Sequence, residues 1–480
     1  MLVLAAATLA AATGASAARI RGTAGNDRIQ AYNGRPDTVS CGRGRDIVTA
    51  DSFDRVASDC EVVSRQISVD PFRNPQSQHE TQVEPDSFAV GSSVLAAFQS
   101  GRIFNGGSSD IGFSFSRNRG VTWTRGFLPS TTANSKPAGP WPIVSDPSVA
   151  YDAEHHVWLI ASLAVANDRS AVLVSSSPDG LHWGAPVTAT LAPTLGPLLL
   201  DKEWIVCDNG AQSPFRGHCY VSYSDFRTNE VSTQTTVDGG VTWGLPIGSS
   251  DAAGRASLLG SFAPGVQPVV RPDGMVVIPY YDEGKISAIR STDGGATYST
   301  ATLIASARYR IHSPLRAAPL PVAEADASGA VYVAWTDCSR RPGCSRNDVL
   351  VARSSDGVSW SAAVRVPTGS ADAELPGLAA DPTSPGRLAL AYYTLTSAGL
   401  DAWFVSSRNA GATWTKPQRL SARSVSLNWI AATDSGVMVG DYISTSFAGG
   451  RAVPVFALAR HPNGPRFHES MFAASVPVPR

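Results

Sequence analysis

Lysine is almost missing. The 480-residue chain holds four, Lys136, Lys202, Lys285 and Lys416, and arginine carries the remaining positive charge. The formal net charge is -1, so no field draws the chain to nucleic acid or to an anionic membrane surface. Beyond the first residues no run is long and apolar enough to span a bilayer. Long helical periodicity is absent too, which argues against a TIM barrel. The sequence contains no G-x-S-x-G elbow, no P-loop and no H-E-x-x-H, so serine hydrolase, nucleotide-binding and zinc-protease readings fall back. No C-x-x-C spacing occurs, which turns the six cysteines away from metal binding.

What the chain does have is turns and apolar residues. Gly 43 and Pro 33 suit a fold full of hairpins, and 43% hydrophobic residues suffice for a sizeable core. Residues 1–17 read as an export signal: Leu2 to Ala12 is apolar, and Ala15-Ser16-Ala17 fits a small-residue cleavage site. Export predicts a secreted, extracellular protein, expected as a monomer. In that oxidising setting the sequence-near pairs Cys41 with Cys60, Cys207 with Cys219, and Cys338 with Cys344 read as three local disulfides.

One eight-residue phrase recurs. It is clearest as TVDGGVTW, Thr236 to Trp243, and returns as SRNRGVTW ending at Trp123, STDGGATY ending at Tyr298 and SRNAGATW ending at Trp414. Two looser copies, SSPDGLHW and RSSDGVSW, end at Trp183 and Trp360. The closing aromatics are spaced by 60, 60, 55, 62 and 54 residues, a repeat architecture with one turn per period. Each residue type has a job: the Ser or Thr and the Asp or Asn accept nearby amides, the Gly allows a left-handed backbone, and the aromatic is an apolar plug. The phrase resembles the Asp box, S-x-D-x-G-x-T-W, of the sialidase-like β-propellers. In that family the box lies on the rim, so the resemblance implies a fold and assigns no box residue to chemistry.

Between boxes run β-rich stretches bounded by Gly, Pro and Asp, among them Val94–Phe98, Cys219–Tyr223, Val331–Trp335 and Ala452–Phe456. Four strands per period make a propeller blade. The expected fold is therefore all-β, a sialidase-like propeller over residues 66–480 with six boxes and six or seven four-stranded blades. The strand count favours seven, with the last blade completed by Phe467–Ala473 and an N-terminal strand near Ile67.

Residues 19–65 differ. GTAGNDRIQ, Gly22 to Gln30, and CGRGRDIVT, Cys41 to Thr49, resemble the nonapeptide of haemolysin-type (RTX) calcium-binding β-rolls, with NGRPDTV, Asn33 to Val39, as an imperfect copy. The resemblance implies calcium ligands at Asp27, Asp37 and Asp46. A small turn cap stapled by Cys41 and Cys60 accounts for the same residues without calcium.

The first strand of each blade should line a central channel, and these segments begin with acids: Glu84-Pro85-Asp86, Asp146-Pro147, Asp201-Lys202-Glu203, Glu374 and Asp441-Tyr442, with Gln267-Pro268 in the matching place of the fourth. Carboxylates gathered at one mouth raise one another's pKa or recruit a cation. Resemblance to catalytic sialidases implies three arginines for the sugar carboxylate, a Tyr nucleophile helped by a Glu, and an Asp acid/base. Phe72-Arg73-Asn74-Pro75 keeps three of the four residues of their (F/Y)-R-I-P motif, which nominates Arg73. Tyr442 is the candidate nucleophile, Glu374 or Glu84 its helper and Asp146 the acid/base. Asp86, Asp201, Glu203 and Asp441 are candidate substrate contacts. The second and third arginines have no assignable motif. The expected function is a secreted exo-sialidase-type glycoside hydrolase acting on terminal anionic sugars of a glycan or glycoprotein, needing no cofactor for its chemistry. The alternative is a non-catalytic propeller that binds glycan or protein through its central face.

Overall fold

The computed structural model describes residues 17–193, 200–228, 230–249 and 265–479. Residues 1–16 of the expected export signal lie outside them. No helix among the described residues is long and apolar enough to cross a membrane.

The chain lays down seven successive antiparallel strand sets among the described residues. The first runs His79–Val90, Ser93–Arg102, Ser108–Ser116 and Thr124–Phe127. The second starts at Ile143–Asp152, the third at Leu200–Cys207, the fourth at Val269–Val270, the fifth at Val322–Ala325 and the sixth at Asp372–Ala380. The last comprises Ser444–Ala448, Arg451–Ala459 and Arg466–Ala474. Its outer edge is filled by Val62–Gln66 from the N-terminal region, with Phe472 opposite Gln66 and Ala474 opposite Ser64. That pairing removes an open sheet edge, the feature that invites aggregation.

Six hydrophobic clusters lie between neighbouring sets, and the recurring aromatic packs on each. Trp183 packs on the cluster shared by the first two sets, Trp243 on that of the second and third, and Tyr298 on that of the third and fourth. Trp360 and Trp414 continue the series. Trp123, from the first set, packs on the large cluster formed by the sixth and last sets. The series therefore returns to its start. Gly120 shows why the phrase needs glycine: φ is +77°, and a Cβ there would sit 2.8 Å from Val453 in the last set. The Ser and Asp of the phrase act as expected: Ser177 Oγ accepts from the Gly180 amide at 2.9 Å, and Asp179 Oδ1 accepts from Leu181 and His182 at 2.9 Å each. The inner strands surround one axis. A single cavity of about 370 Å³ is walled by Asp86, Val149, Trp204, Gln267, Glu324, Leu378 and Ser444, one from each set.

The N-terminal region is a stack of parallel rungs. Arg19–Arg21, Thr38–Ser40 and Arg55–Val56 form one ladder; Arg28–Gln30, Ile47–Ala50 and Val62–Gln66 form the other. Ile29, Val39 and Val48 fill the space between, beside the Cys41–Cys60 disulfide. The other two disulfides, Cys207–Cys219 and Cys338–Cys344, form as expected. Val62–Gln66 belongs to both the stack and the last strand set, so the boundary expected at residue 65 falls inside a shared strand.

Asp27, Asp37 and Asp46 do not meet at one point. Asp27 and Asp46 precede rungs of one ladder, and Asp37 precedes a rung of the other. Their carboxylates hold the backbone of the rung before: Asp46 Oδ1 accepts from the Asp27 amide at 2.7 Å and Asp37 Oδ1 from Ala18 at 2.9 Å. Asp54 and Glu61 repeat the pattern on the amides of Asp37 and Asp46. Asp27 caps its own turn through the Thr23 amide at 2.6 Å.

Candidate active site

A repeated bulge builds the mouth. In four inner strands the pairing register slips, between Val83 and Asp86, Ser145 and Ser148, Asp201 and Trp204, and Glu374 and Gly377. Within each slip one residue is left-handed: Glu84 (φ +54°), Asp146 (+48°), Lys202 (+51°) and Leu375 (+52°). Non-glycine residues avoid this region, and bulges there re-aim a side chain. Three of the four precede proline, which already disfavours the right-handed helical region for them.

The result is a knot of carboxyl groups at one end of the axis. Glu84 is buried; its Oε2 accepts from Gln99 Nε2 and its Oε1 from the Asp441 amide at 3.3 Å. Burial, then the Asp146 and Asp441 carboxylates, push its pKa far up. Asp146 accepts from Ser145 Oγ at 3.2 Å. Asp201 is half-buried, and burial followed by Asp146 and Asp441 pushes it up to about 8. Glu203 is fully buried with neither oxygen hydrogen-bonded, and burial raises its pKa as well. Asp86 lies deeper, against the cavity, accepting from the Val149 amide at 2.7 Å and Ser444 Oγ at 3.0 Å; burial takes it to about 7.

Three cations accompany these groups, and each is engaged. Arg316 grips Asp441 with two nitrogens, Nε at 2.9 Å. Burial opposes its charge, and Asp441 more than offsets that, leaving its pKa raised. Lys202 places Nζ 3.9 Å from the ring centres of both Trp204 and Tyr442, and burial lowers its pKa. Arg102 is buried and donates to Gln78 Oε1 at 2.7 Å and the Ala432 carbonyl at 2.6 Å.

The candidates therefore divide. Glu84, Asp146, Asp201, Glu203, Asp441 and Tyr442 come together, with Asp86 just below. The Tyr442 hydroxyl is buried and donates to the Pro147 carbonyl at 3.2 Å. Arg73 stays outside: it donates to the Phe72 carbonyl at 2.7 Å and pairs with Glu80 at 3.9 Å. Glu374 leaves the group and faces Asn347, which donates to its Oε1 at 2.7 Å. Lys202, Arg316, Gln99 and Trp204 were not nominated. Lys202 was within reach of sequence reasoning, since Lys202-Glu203 occupies the register of Glu84-Pro85. Arg316 sits in an irregular connection with no motif around it.

No protein-family model and no curated protein matches the chain. Among solved structures it is similar to the NanB sialidase of Streptococcus pneumoniae, at 12% identity, covering 86% of this chain and 70% of that one with a TM-score of 0.43. It is also similar to an α-L-arabinofuranosidase of Fusarium graminearum, at 13% identity, 86% and 97% coverage and a TM-score of 0.47. A polysaccharide lyase acting as an ulvan lyase matches at 10% identity, 83% and 95% coverage and a TM-score of 0.49. The substrates in those names belong to those proteins.

Proposed function

We propose that the chain is an extracellular glycoside hydrolase acting on terminal sugars of glycans, with its seven strand sets read as seven blades of one ring. Asp201 carries the reading. It is a half-buried carboxyl at the mouth whose proton is held to about pH 8 by burial and by Asp146 and Asp441. A raised carboxyl beside a second carboxylate is how one site supplies an acid and a counter-charge together. In this reading Asp201 gives its proton to the departing glycosidic oxygen as its bond to the anomeric carbon breaks, Asp146 faces the positive charge growing on the sugar ring, and a water adds to that carbon and returns its proton to Asp201. Arg316 and Asp441 anchor sugar hydroxyls.

The mouth favours a neutral terminal sugar over an anionic one. Its cations are already engaged, and a sugar carboxylate must displace Asp441 from Arg316. The tyrosine-nucleophile route is disfavoured for a related reason, because the Tyr442 hydroxyl is bonded to Pro147 under Lys202. That same engagement supports the second reading, a propeller that binds glycan without cleaving it.

A panel of fluorogenic neutral glycosides and a sialoside tests the proposal. Turnover of a neutral glycoside is expected, lost in Asp201→Asn and kept in Tyr442→Phe. Turnover of the sialoside, lost in Tyr442→Phe, would restore the tyrosine mechanism. A folded protein inert on the whole panel would leave the binding reading in place.

A further inference from the structure

Beside the mouth, three side chains from two segments converge without satisfying one another. His312 lies in the connection before the fifth set, and Asp372 and Glu374 begin the inner strand of the sixth. One donor atom from each lies within 4.8 Å of the others. His312 Nε2 is 2.8 Å from Asp372 Oδ1 and 3.7 Å from Glu374 Oε1. Despite that proximity, Nε2 is buried and makes no hydrogen bond, so its proton or lone pair is not aimed at Asp372. Glu374 is 0% exposed; its Oε2 meets no hydrogen-bond geometry, and the Tyr309 hydroxyl is the group that lies near the carboxyl. His312 and Asp372 stand at ion-pair distance, yet the geometry leaves Nε2 and Glu374 Oε2 without a hydrogen bond.

We propose that His312, Asp372 and Glu374 form a binding site for one divalent metal ion of the zinc type. Ligand atoms about 2.1 Å from a common ion stand roughly 3.0 to 3.4 Å apart, the range these atoms straddle. One imidazole nitrogen with two carboxylate oxygens selects a first-row ion over calcium or magnesium, which prefer all-oxygen cages. Three protein ligands leave a position open for water or substrate.

The surroundings are built to orient these ligands. Asn347 donates its backbone amide to Asp372 Oδ1 at 2.9 Å and its side-chain amide to Glu374 Oε1 at 2.7 Å. Its own Oδ1 is taken by the Arg310 amide at 3.0 Å, so it positions the ligands and does not join them. Outer partners of this kind fix ligand geometry at metal centres. The Cys338–Cys344 disulfide closes the hairpin loop just before Asn347. Tyr309 connects the site to the mouth: its hydroxyl donates to the Ala317 carbonyl at 2.9 Å, and Glu374, Asp372 and Asp441 all act on it. Elsewhere among the described residues no other histidine, aspartate or glutamate group converges this tightly. Cys41, Asp59 and Cys60 do, but those cysteines form a disulfide.

The experiment is calorimetric titration of chelator-treated, dialysed full-length protein with zinc chloride, with calcium and magnesium chloride as controls. One zinc per chain is expected, with neither control competing. His312→Ala and Glu374→Gln should each abolish that stoichiometry, and Asn347→Ala should weaken binding roughly 10- to 100-fold. Should His312→Ala not fold, the near-isosteric Glu374→Gln carries the test. Cobalt substitution of the wild type adds a readout free of variants, since a bound imidazole and two carboxylates give visible d–d bands. Absence of zinc binding, or zinc binding by Glu374→Gln as by wild type, overturns the proposal. Neither result touches Asp201 and Asp146, so the hydrolase reading stands or falls separately.

Discussion

Carboxylates at the edges of this molecule and carboxylates on its axis have opposite fates. At the rim, Asp356 accepts from the amides of Val358 and Ser359, and those bonds hold it well below the usual carboxylate range. Asp179 is lowered likewise, by His182 first and then by the amides of its turn. In the rung stack, Asp46 and Asp37 also spend themselves on backbone amides. On the axis, Glu84, Asp201 and Glu203 face one another in a buried place and are driven upwards. The residue type is the same, and burial first of all, then the charge of the neighbours, decides which way it shifts: Asp86 accepts the Val149 amide and is still driven up. An exposed carboxylate given amides is lowered, and a buried one set among other carboxylates is raised.

The contrast can be broken at several points. The largest effect belongs to the axis: Asp201→Asn should lower kcat by about 10³-fold, within the span general-acid catalysts contribute, and leave unfolding unchanged. Wild-type kcat/KM should fall as pH rises past about 8, where Asp201 loses its proton. In the stack the order reverses. Asp46→Ala strands the Asp27 amide and should cost about 1–3 kcal/mol in urea unfolding with activity untouched.

Next comes a difference in pH sign. The raised folded pKa of Asp86 means that its contribution is fully present below about pH 4 and is lost as pH climbs through about 7. Melting temperature should therefore drop over that window, and less steeply in Asp86→Asn. Asp356 has the opposite sign: its contribution is present above about pH 4 and lost in acid, and Asp356→Ala should cost about 1 kcal/mol or less. Smallest of all is calcium. Because hydrogen bonds already hold the rungs, excess calcium or a chelator should leave the melting temperature unmoved; a rise would assign an ion to the unpaired Asp46 Oδ2.

Much of the ring was legible because its determinants are local. A Ser, an Asp, a Gly and a Trp within eight residues carry both the turn and the plug, and spacing carries the repetition. The three disulfides were legible for the same reason. The site was half legible. Glu84 and Asp146 could be gathered because they share a register in successive inner strands, with Asp201 one position earlier in its own and Asp441 just before the inner strand of the last set. Glu374 stands at the position of Asp201 and still departs, since Asn347 captures its carboxylate. Arg316, His312 and Asn347 could not be placed, because each comes from an irregular connection whose path depends on the assembled blades. Tyr442 was placed at the mouth, but only the fold shows its hydroxyl committed to Pro147.

Val62–Gln66 has a consequence for how such a chain is made. Its partner, Arg466–Ala474, is translated some four hundred residues later. A bare strand waiting that long would wander and stick to other chains. Here it is the final rung of a disulfide-stapled stack built wholly from the chain before it, with one side paired to Ile47–Ala50. The nascent protein thus keeps its clasp ready-formed, and the last strands to emerge need only find a latch that has been standing open since the beginning.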